Sequence, residues 1–183
     1  HAWGGMAQLH GRRKKGRVLA GVTCGAETAA PVTSREPVSL MQLAILGAGA
    51  IALGSAALAA SRGYAVTVWS PSGRGTERLF PPVEAGSAAE AVAGPEYVLA
   101  AGPANGHRTV MEAAAPHLAP GQTVLVSAAA SLSPLHLHRL LAARGVATPV
   151  AGFGTTAVTA RRGRAGVSVT VATLRGACDV AAV

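Results

Sequence analysis

Three small residues at fixed spacing, Gly47-x-Gly49-x-x-Ala52, form the most chemically specific pattern in this chain. In a turn leading from a strand into a helix, such a triplet accommodates a pyrophosphate. The first glycine permits the tight turn, the second leaves the backbone open to approach, and the third small residue lets helix pack on strand. The free N–H groups at the helix start, in the loop Gly47-Ala48-Gly49-Ala50-Ile51-Ala52, then face the phosphates. An anion placed there also gains from the helix dipole.

The pattern alone is weak evidence in a chain rich in Ala and Gly, but its surroundings agree. The apolar run Leu43-Ala44-Ile45-Leu46 precedes it as a buried strand. Residues 51–62 read as a helix, Gly63 stops it, and Ala65-Val66-Thr67-Val68-Trp69 reads as a second strand. All of this fits within the ~30 residues of a βαβ unit.

The end of the second strand decides which dinucleotide suits the site. NAD-binding sheets place an Asp or Glu there, ~20 residues past the loop, to hold the ribose 2′-hydroxyl. Here Ser70 is followed by Pro71-Ser72-Gly73-Arg74, with no acid before Glu77. Hydroxyls and a guanidinium welcome a 2′-phosphate that an acid would repel. Ser70, Ser72 and Arg74 therefore point to NADP, with NAD as the alternative if Arg74 is only a solvated loop residue. Gly102-Pro103, closing a strand predicted over 97–101, has little bulk. It either lets a nicotinamide ribose lie close or serves as a plain turn.

Catalytic groups are scarce. After residue 41 the only histidines are His107, His117, His136 and His138. His136 and His138 are two apart on a predicted helix and face different sides, so they make no metal pair. His107 lies near a strand end and either approaches a cofactor or is a surface or capping residue, the commoner use of such a histidine. Ser127 and Ser131 have no acid–His partners at useful spacing, and Asp179 is the only Asp in the chain. A self-sufficient hydrolytic or acid–base site is hard to assemble from this set. Cys24 and Cys178 lie far apart without CxxC spacing, which favours a reducing, cytoplasmic setting.

The elements that must position these residues alternate. A short helix is predicted over 87–92, a strand over 97–101, and a helix from Asn105, as cap, to about 118. A strand over 123–126, a helix over 134–144, and strands over 149–151 and 166–173 follow. Strands alternating with helices mean a Rossmann-type, doubly wound parallel α/β sheet, with the ligand at the carboxyl ends of the strands. Half of the 183 residues are hydrophobic but only 3% are aromatic, so the core must be Ala, Val and Leu.

The formal charge of +8 is uneven. Arg12, Arg13, Lys14, Lys15, Arg17 and Arg35 precede residue 41, against Glu27 and Glu36. Residues 1–40 show no clear periodicity and read as a disordered basic leader, followed by one domain over 41–183. Met41 directly precedes the first apolar strand, so the leader need not be native. Residues 37–61 are uncharged, but Gly47, Gly49 and Gly54 and the strand that follows argue against a membrane anchor. Arg161, Arg162 and Arg164 have no stacking aromatics among them, so no nucleic-acid partner is expected.

Residues 44–52, with Val66-Thr67-Val68-Trp69-Ser70-Pro71, resemble the N-terminal domain of opine dehydrogenases of the octopine/nopaline type. Ala101-Gly102-Pro103-Ala104-Asn105-Gly106-His107-Arg108 is similar to that family's strand end and helix. Gln122-Thr123-Val124-Leu125-Val126-Ser127, Ala130-Ser131-Leu132-Ser133 and Gly152-Phe153-Gly154-Thr155-Thr156 are similar too. The resemblance spans about 41–183. It implies NAD(P)H-dependent reduction of the imine formed between an amino acid and a 2-oxo acid. It also implies a further helical domain that supplies the catalytic His and acid. No such domain precedes Val183, so this chain is expected to be a cofactor-binding half, inactive alone, with its catalytic residues unassigned. Glycerol-3-phosphate dehydrogenases and ketopantoate reductases share the N-terminal plan. Lys14 and Lys15 are the only lysines, which disfavours those two families. A non-catalytic nucleotide-binding sensor is the remaining alternative.

Overall fold

The computed structural model describes residues 7–14, 17–23, 41–73, 83–129, 132–163 and 168–183. In chain order the strands are β1 (Ala7–Lys14), β2 (Arg17–Thr23), β3 (Gln42–Leu46), β4 (Ala65–Trp69), β5 (Val83–Glu84), β6 (Tyr97–Ala100) and β7 (Thr123–Val126). They continue with β8 (Val150–Phe153), β9 (Val158–Arg162), β10 (Val169–Leu174) and β11 (Val180–Ala182). The helices are α1 (Ala50–Ser61), α2 (Ala88–Val92), α3 (Ala104–Ala114), which runs on into a 3₁₀ turn at Ala115–His117, and α4 (Ser133–Ala142).

The main sheet has the order β11-β8-β7-β6-β3-β4-β5, parallel except for β11. Numbered within the sheet, the six parallel strands run 3-2-1-4-5-6, the order of dinucleotide-binding sheets. Strand pleat divides the side chains between two faces. Ala44, Leu46, Val98, Val124, Val126 and Val150 pack against α2, α3 and α4 through Val92, Met111, Leu137 and Leu141. Ile45, Val66 and Val68 turn the other way and meet Ala52 and Ala56 of α1. Small residues on α1 let it lie close to the sheet, as the spacing predicts. Along the C-terminal half of α1 the same face leaves an apolar groove lined by Leu43, Leu58, Leu99, Leu125 and Phe153.

A second, antiparallel sheet, β2-β1-β10-β9, covers the outer side of α1. Leu53 and Ala57 of α1 meet Val169, with Ala160 alongside. Gly54 makes the approach possible: a Cβ there would lie 2.5 Å from the Cβ of Ala160. The glycine that weakens a lone membrane helix is thus a helix–sheet contact. No helix among the described residues is long and apolar enough to cross a membrane.

Several expectations are corrected. Residues 7–14 and 17–23, within the stretch read as a leader, form a hairpin whose first strand extends the edge of β10, with Ala7 opposite Val171 and Gln8 opposite Thr170. Val18, Val22 and Thr23 are β-branched and suit a strand, and β10 offers a backbone edge to pair with. The rest of that leader lies outside the described residues. β5, β9 and β11 were not foreseen. The strand expected over 166–173 runs Val169–Leu174, and that expected over 149–151 runs Val150–Phe153. Asn105 does not cap α3, because Pro103 takes the extended cap position at φ −68° and ψ 150°.

Candidate functional site

Parallel pairing carries the ends of β3, β4, β6 and β7 to one edge of the sheet, with Leu46 opposite both Trp69 and Ala100, and Ala100 opposite Val126. Backbone bonds continue the ladder just past the strands. Gly47 N–H donates to Trp69 O at 2.7 Å, Ala101 N–H to Leu46 O at 2.9 Å, and Ser127 N–H to Ala100 O at 2.9 Å. Gly47, Ser70, Gly102 and Ser127 are therefore neighbours on that edge.

The two glycines of the loop do different jobs. Gly47 adopts φ +133°, and a Cβ there would lie 2.3 Å from the carbonyl oxygen of Ala101. Only glycine fits at that crossing. Gly49 has an ordinary φ of −71°, and a Cβ built on it meets nothing within 4 Å. Its missing side chain keeps exposed space open in front of α1, which is where the sequence places a pyrophosphate. Gly49 is the N-cap and supplies no side-chain cap, and the first turn of α1 holds no acid. Ala50 and Ile51 are half-buried, and Ala52 is wholly buried behind the loop. An anion at this helix start meets N–H donors and no carboxylate from the helix's own first turn.

Beyond β4, the Ser70 and Ser72 hydroxyls lie 3.3 Å apart, and Gly73 N–H donates to Ser70 O at 3.0 Å to close the turn. Ser70 is half-buried and Ser72 exposed. Arg74, the third member of that proposed phosphate pocket, lies outside the described residues. Gly102 is half-buried, and Pro103 is exposed at the start of α3.

His107 is 4% exposed. Its Nε2 lies 2.9 Å from Gly102 O and its Nδ1 3.0 Å from Ser133 Oγ. A carbonyl only accepts, so Nε2 carries the proton, and in the neutral ring Nδ1 accepts from the Ser133 hydroxyl. Both nitrogens are engaged by the protein, so His107 braces two loops rather than presenting an open acid–base group. The loop it braces is strained. Ala128 and Leu132 have φ of +53° and +59°, a conformation that costs a non-glycine residue about 1–2 kcal/mol. Gly152 lets β8 press on that loop, since a Cβ there would lie 2.5 Å from Ala129 Cβ and 2.7 Å from Pro134 Cγ.

Other ionisable groups stand apart. His136 lies 3.9 Å from Glu112 between α3 and α4, and His117 and His138 are exposed. Arg108 pairs with Glu112 at 2.8 Å on the surface of α3, and the hydrogen bond to that carboxylate holds the guanidinium above its ordinary value. No group of three His, Cys, Asp or Glu among the described residues is placed to hold a metal.

One residue at the loop was missed by sequence reading. Nη2 of Arg162, at the end of β9, donates to the carbonyl of Ala48. Alternation along β9 is the signal that points to it, because Val158, Ala160 and Arg162 share one side of the strand.

Residues 42–131 match a family model described as NADP oxidoreductase coenzyme F420-dependent. A comparison with curated proteins gives no match. Among solved structures, octopine dehydrogenase with NADH and L-arginine has a TM-score of 0.70 at 19% identity, covering 79% of this chain and 42% of that one. Yersinopine dehydrogenase in its apo form has a TM-score of 0.60 at 18% identity, covering 78% of this chain and 41% of that one. An imine reductase from Bacillus cereus has a TM-score of 0.51 at 19% identity, covering 61% and 40%. This chain spans less than half the length of each of these proteins. Fold and family match together are those of an NAD(P)-binding domain of Rossmann type, similar to the cofactor domains of oxidoreductases. In fold it is similar to octopine dehydrogenase and, over a shorter stretch, to imine reductases.

Proposed function

We propose that this chain is the NADP(H)-binding part of an opine-dehydrogenase-like oxidoreductase, whose complete form reductively condenses an amino acid with a 2-oxo acid. One observation carries the cofactor reading: Gly49 leaves open, at an uncapped and acid-free helix start, space that any Cβ would begin to fill. Gly47, Gly49, Ala50, Ile51 and Ala52 would hold the pyrophosphate. Ser70 and Ser72, with Arg74, would receive the 2′-phosphate, and Gly102 and Pro103 would border the nicotinamide ribose. When bound, the reduced nicotinamide supplies hydride, and the protein contributes position and electrostatics.

Two observations support the opine type. The likeness to octopine dehydrogenase extends over 79% of this chain, beyond the 42–131 segment that matches the family model. That structure holds NADH and L-arginine, and a related one holds NADH and pyruvate, which are an amino acid and a 2-oxo acid.

Calorimetric titration with NADPH and, separately, NADH tests the cofactor reading. Tighter binding of NADPH, abolished by Gly49→Val, is expected. Tighter binding of NADH would overturn the assignment of Ser70 and Ser72. Oxidation of NADPH by the full-length protein in the presence of an amino acid and pyruvate together, but not of either alone, tests the reaction.

A further inference from the structure

The phosphate loop has no cation of its own. Residues 47–52 are all Gly, Ala or Ile, and the only lysines of the chain are Lys14 and Lys15. A cation nevertheless reaches the loop from elsewhere in the fold. β9 lies against α1 at the contact between Gly54 and Ala160. Side chains alternate along a strand, so Val158, Ala160 and Arg162 face the same way. Val158 is buried, Ala160 half-buried and Arg162 exposed. The face that packs on the helix thus ends in a guanidinium at the helix's N-terminal end. There Arg162 donates to the carbonyl of Ala48, the residue before the N-cap Gly49.

We propose that Arg162 is a phosphate-binding residue of the dinucleotide site, bringing to the pyrophosphate the positive charge that the glycine loop lacks. This inference rests on the dinucleotide reading above. A guanidinium is a planar fork of donors suited to phosphate oxygens, and charge-assisted bonds of that kind are about twice as strong as neutral ones. Its bond to Ala48 O holds the fork beside the same loop whose N–H groups open α1. The pyrophosphate, rather than the 2′-phosphate, is the assigned target. Arg162 contacts the loop after β3, whereas Ser70 and Ser72 follow β4.

Binding of NADPH and NADH to the full chain, measured for the parent protein and for Arg162→Ala, Arg162→Met and Arg162→Lys, tests it. Both dinucleotides contain the pyrophosphate. Arg162→Ala and Arg162→Met are therefore expected to weaken both by about tenfold and to flatten the salt dependence, with partial recovery in Arg162→Lys. Melting curves without ligand identify any variant that fails to fold, and Arg162→Met keeps the apolar stem for that purpose. Loss confined to NADPH would overturn the pyrophosphate assignment in favour of the 2′-phosphate. Unchanged affinities in folded variants would make Arg162 a brace for the loop and nothing more. A folded parent protein that binds neither dinucleotide would overturn the dinucleotide reading itself.

Discussion

The hydroxyl of Ser133 and Nδ1 of His107 hydrogen-bond at 3.0 Å, joining two buried residues that open α4 and lie in the first turn of α3. Through its other nitrogen His107 also holds Gly102 O, so a single ring ties together the loops that follow β6 and β7. His107→Ala removes both bonds and leaves a buried hydroxyl and a carbonyl without this partner. The expected cost is about 2–3 kcal/mol. For a chain of this size that lowers the melting temperature by about 5–10 °C. Ser133→Ala should cost about 1 kcal/mol. The double variant should show a coupling of at least about 0.5 kcal/mol. Strict additivity in urea melts would show that the bond does not brace the loops.

Gly47 and Gly49 lie two positions apart and should respond to substitution in opposite ways. A side chain at Gly47 combines a positive φ with a 2.3 Å clash against the Ala101 backbone. Gly47→Ala is therefore expected to destabilise the fold by about 2 kcal/mol or more. Gly49 has an ordinary φ and open space in front of it, so Gly49→Val should cost only the N-cap preference, no more than about 1 kcal/mol. It should nonetheless abolish dinucleotide binding. Thermal melts and titrations of the two variants read this contrast directly. A Gly49→Val protein that melts early would mean the open space has a structural use.

The β3-α1-β4 unit was legible because its signal is local. The apolar run, the glycine spacing, the Ala-rich helix and Gly63 all lie within a few tens of residues. The parallel sheet followed from alternation of elements, whose side chains obey one period each. β9 was not legible, since its packing face carries only Val158, Ala160 and Arg162. Ala160 is small because Gly54 faces it, and nothing in either local sequence announces the other. Arg162 reaches Ala48 from 114 residues away, so its place at the loop depends on a tertiary contact. β5 is two residues long and presents no period at all. His107 was visible as a residue near a strand end. Its engagement at both nitrogens required Ser133, which pattern reading could not bring to it.

Gln122 anchors the amino-terminal rim of the sheet, opposite the candidate site. Its Nε2 donates to Val92 O at 2.8 Å and Pro95 O at 2.7 Å, and its Oε1 accepts from Ala119 N–H at 2.8 Å. Gln122 is 7% exposed, so these main-chain groups have little water to replace it. Gln122→Leu keeps the bulk and removes all three bonds. A loss of about 2–3 kcal/mol is expected, read as a lower urea midpoint with an unchanged slope. NADPH affinity at the opposite rim should stay within about twofold, because distant sites act nearly independently. A large loss of affinity would mean that this rim and the cofactor edge move as one unit.

Cofactor choice should turn on Ser70. It stands where β4 ends, half-buried, with its hydroxyl 3.3 Å from that of Ser72 and its carbonyl closing the turn to Gly73. A carboxylate at this place is what NAD-binding sheets use to hold the ribose 2′-hydroxyl. Ser70→Asp supplies one, and its charge opposes a 2′-phosphate at close range. NADPH binding is expected to weaken by at least about tenfold, since two like charges near a surface cost more than about 1 kcal/mol within a few ångströms. NADH binding is expected to hold or to tighten. The penalty on NADPH should shrink in high salt, where exposed charges are screened. Parallel titrations at low and high salt separate this from simple misfolding, which would lower both affinities together. Equal affinity for NADPH before and after the change would place the 2′-phosphate somewhere other than the end of β4.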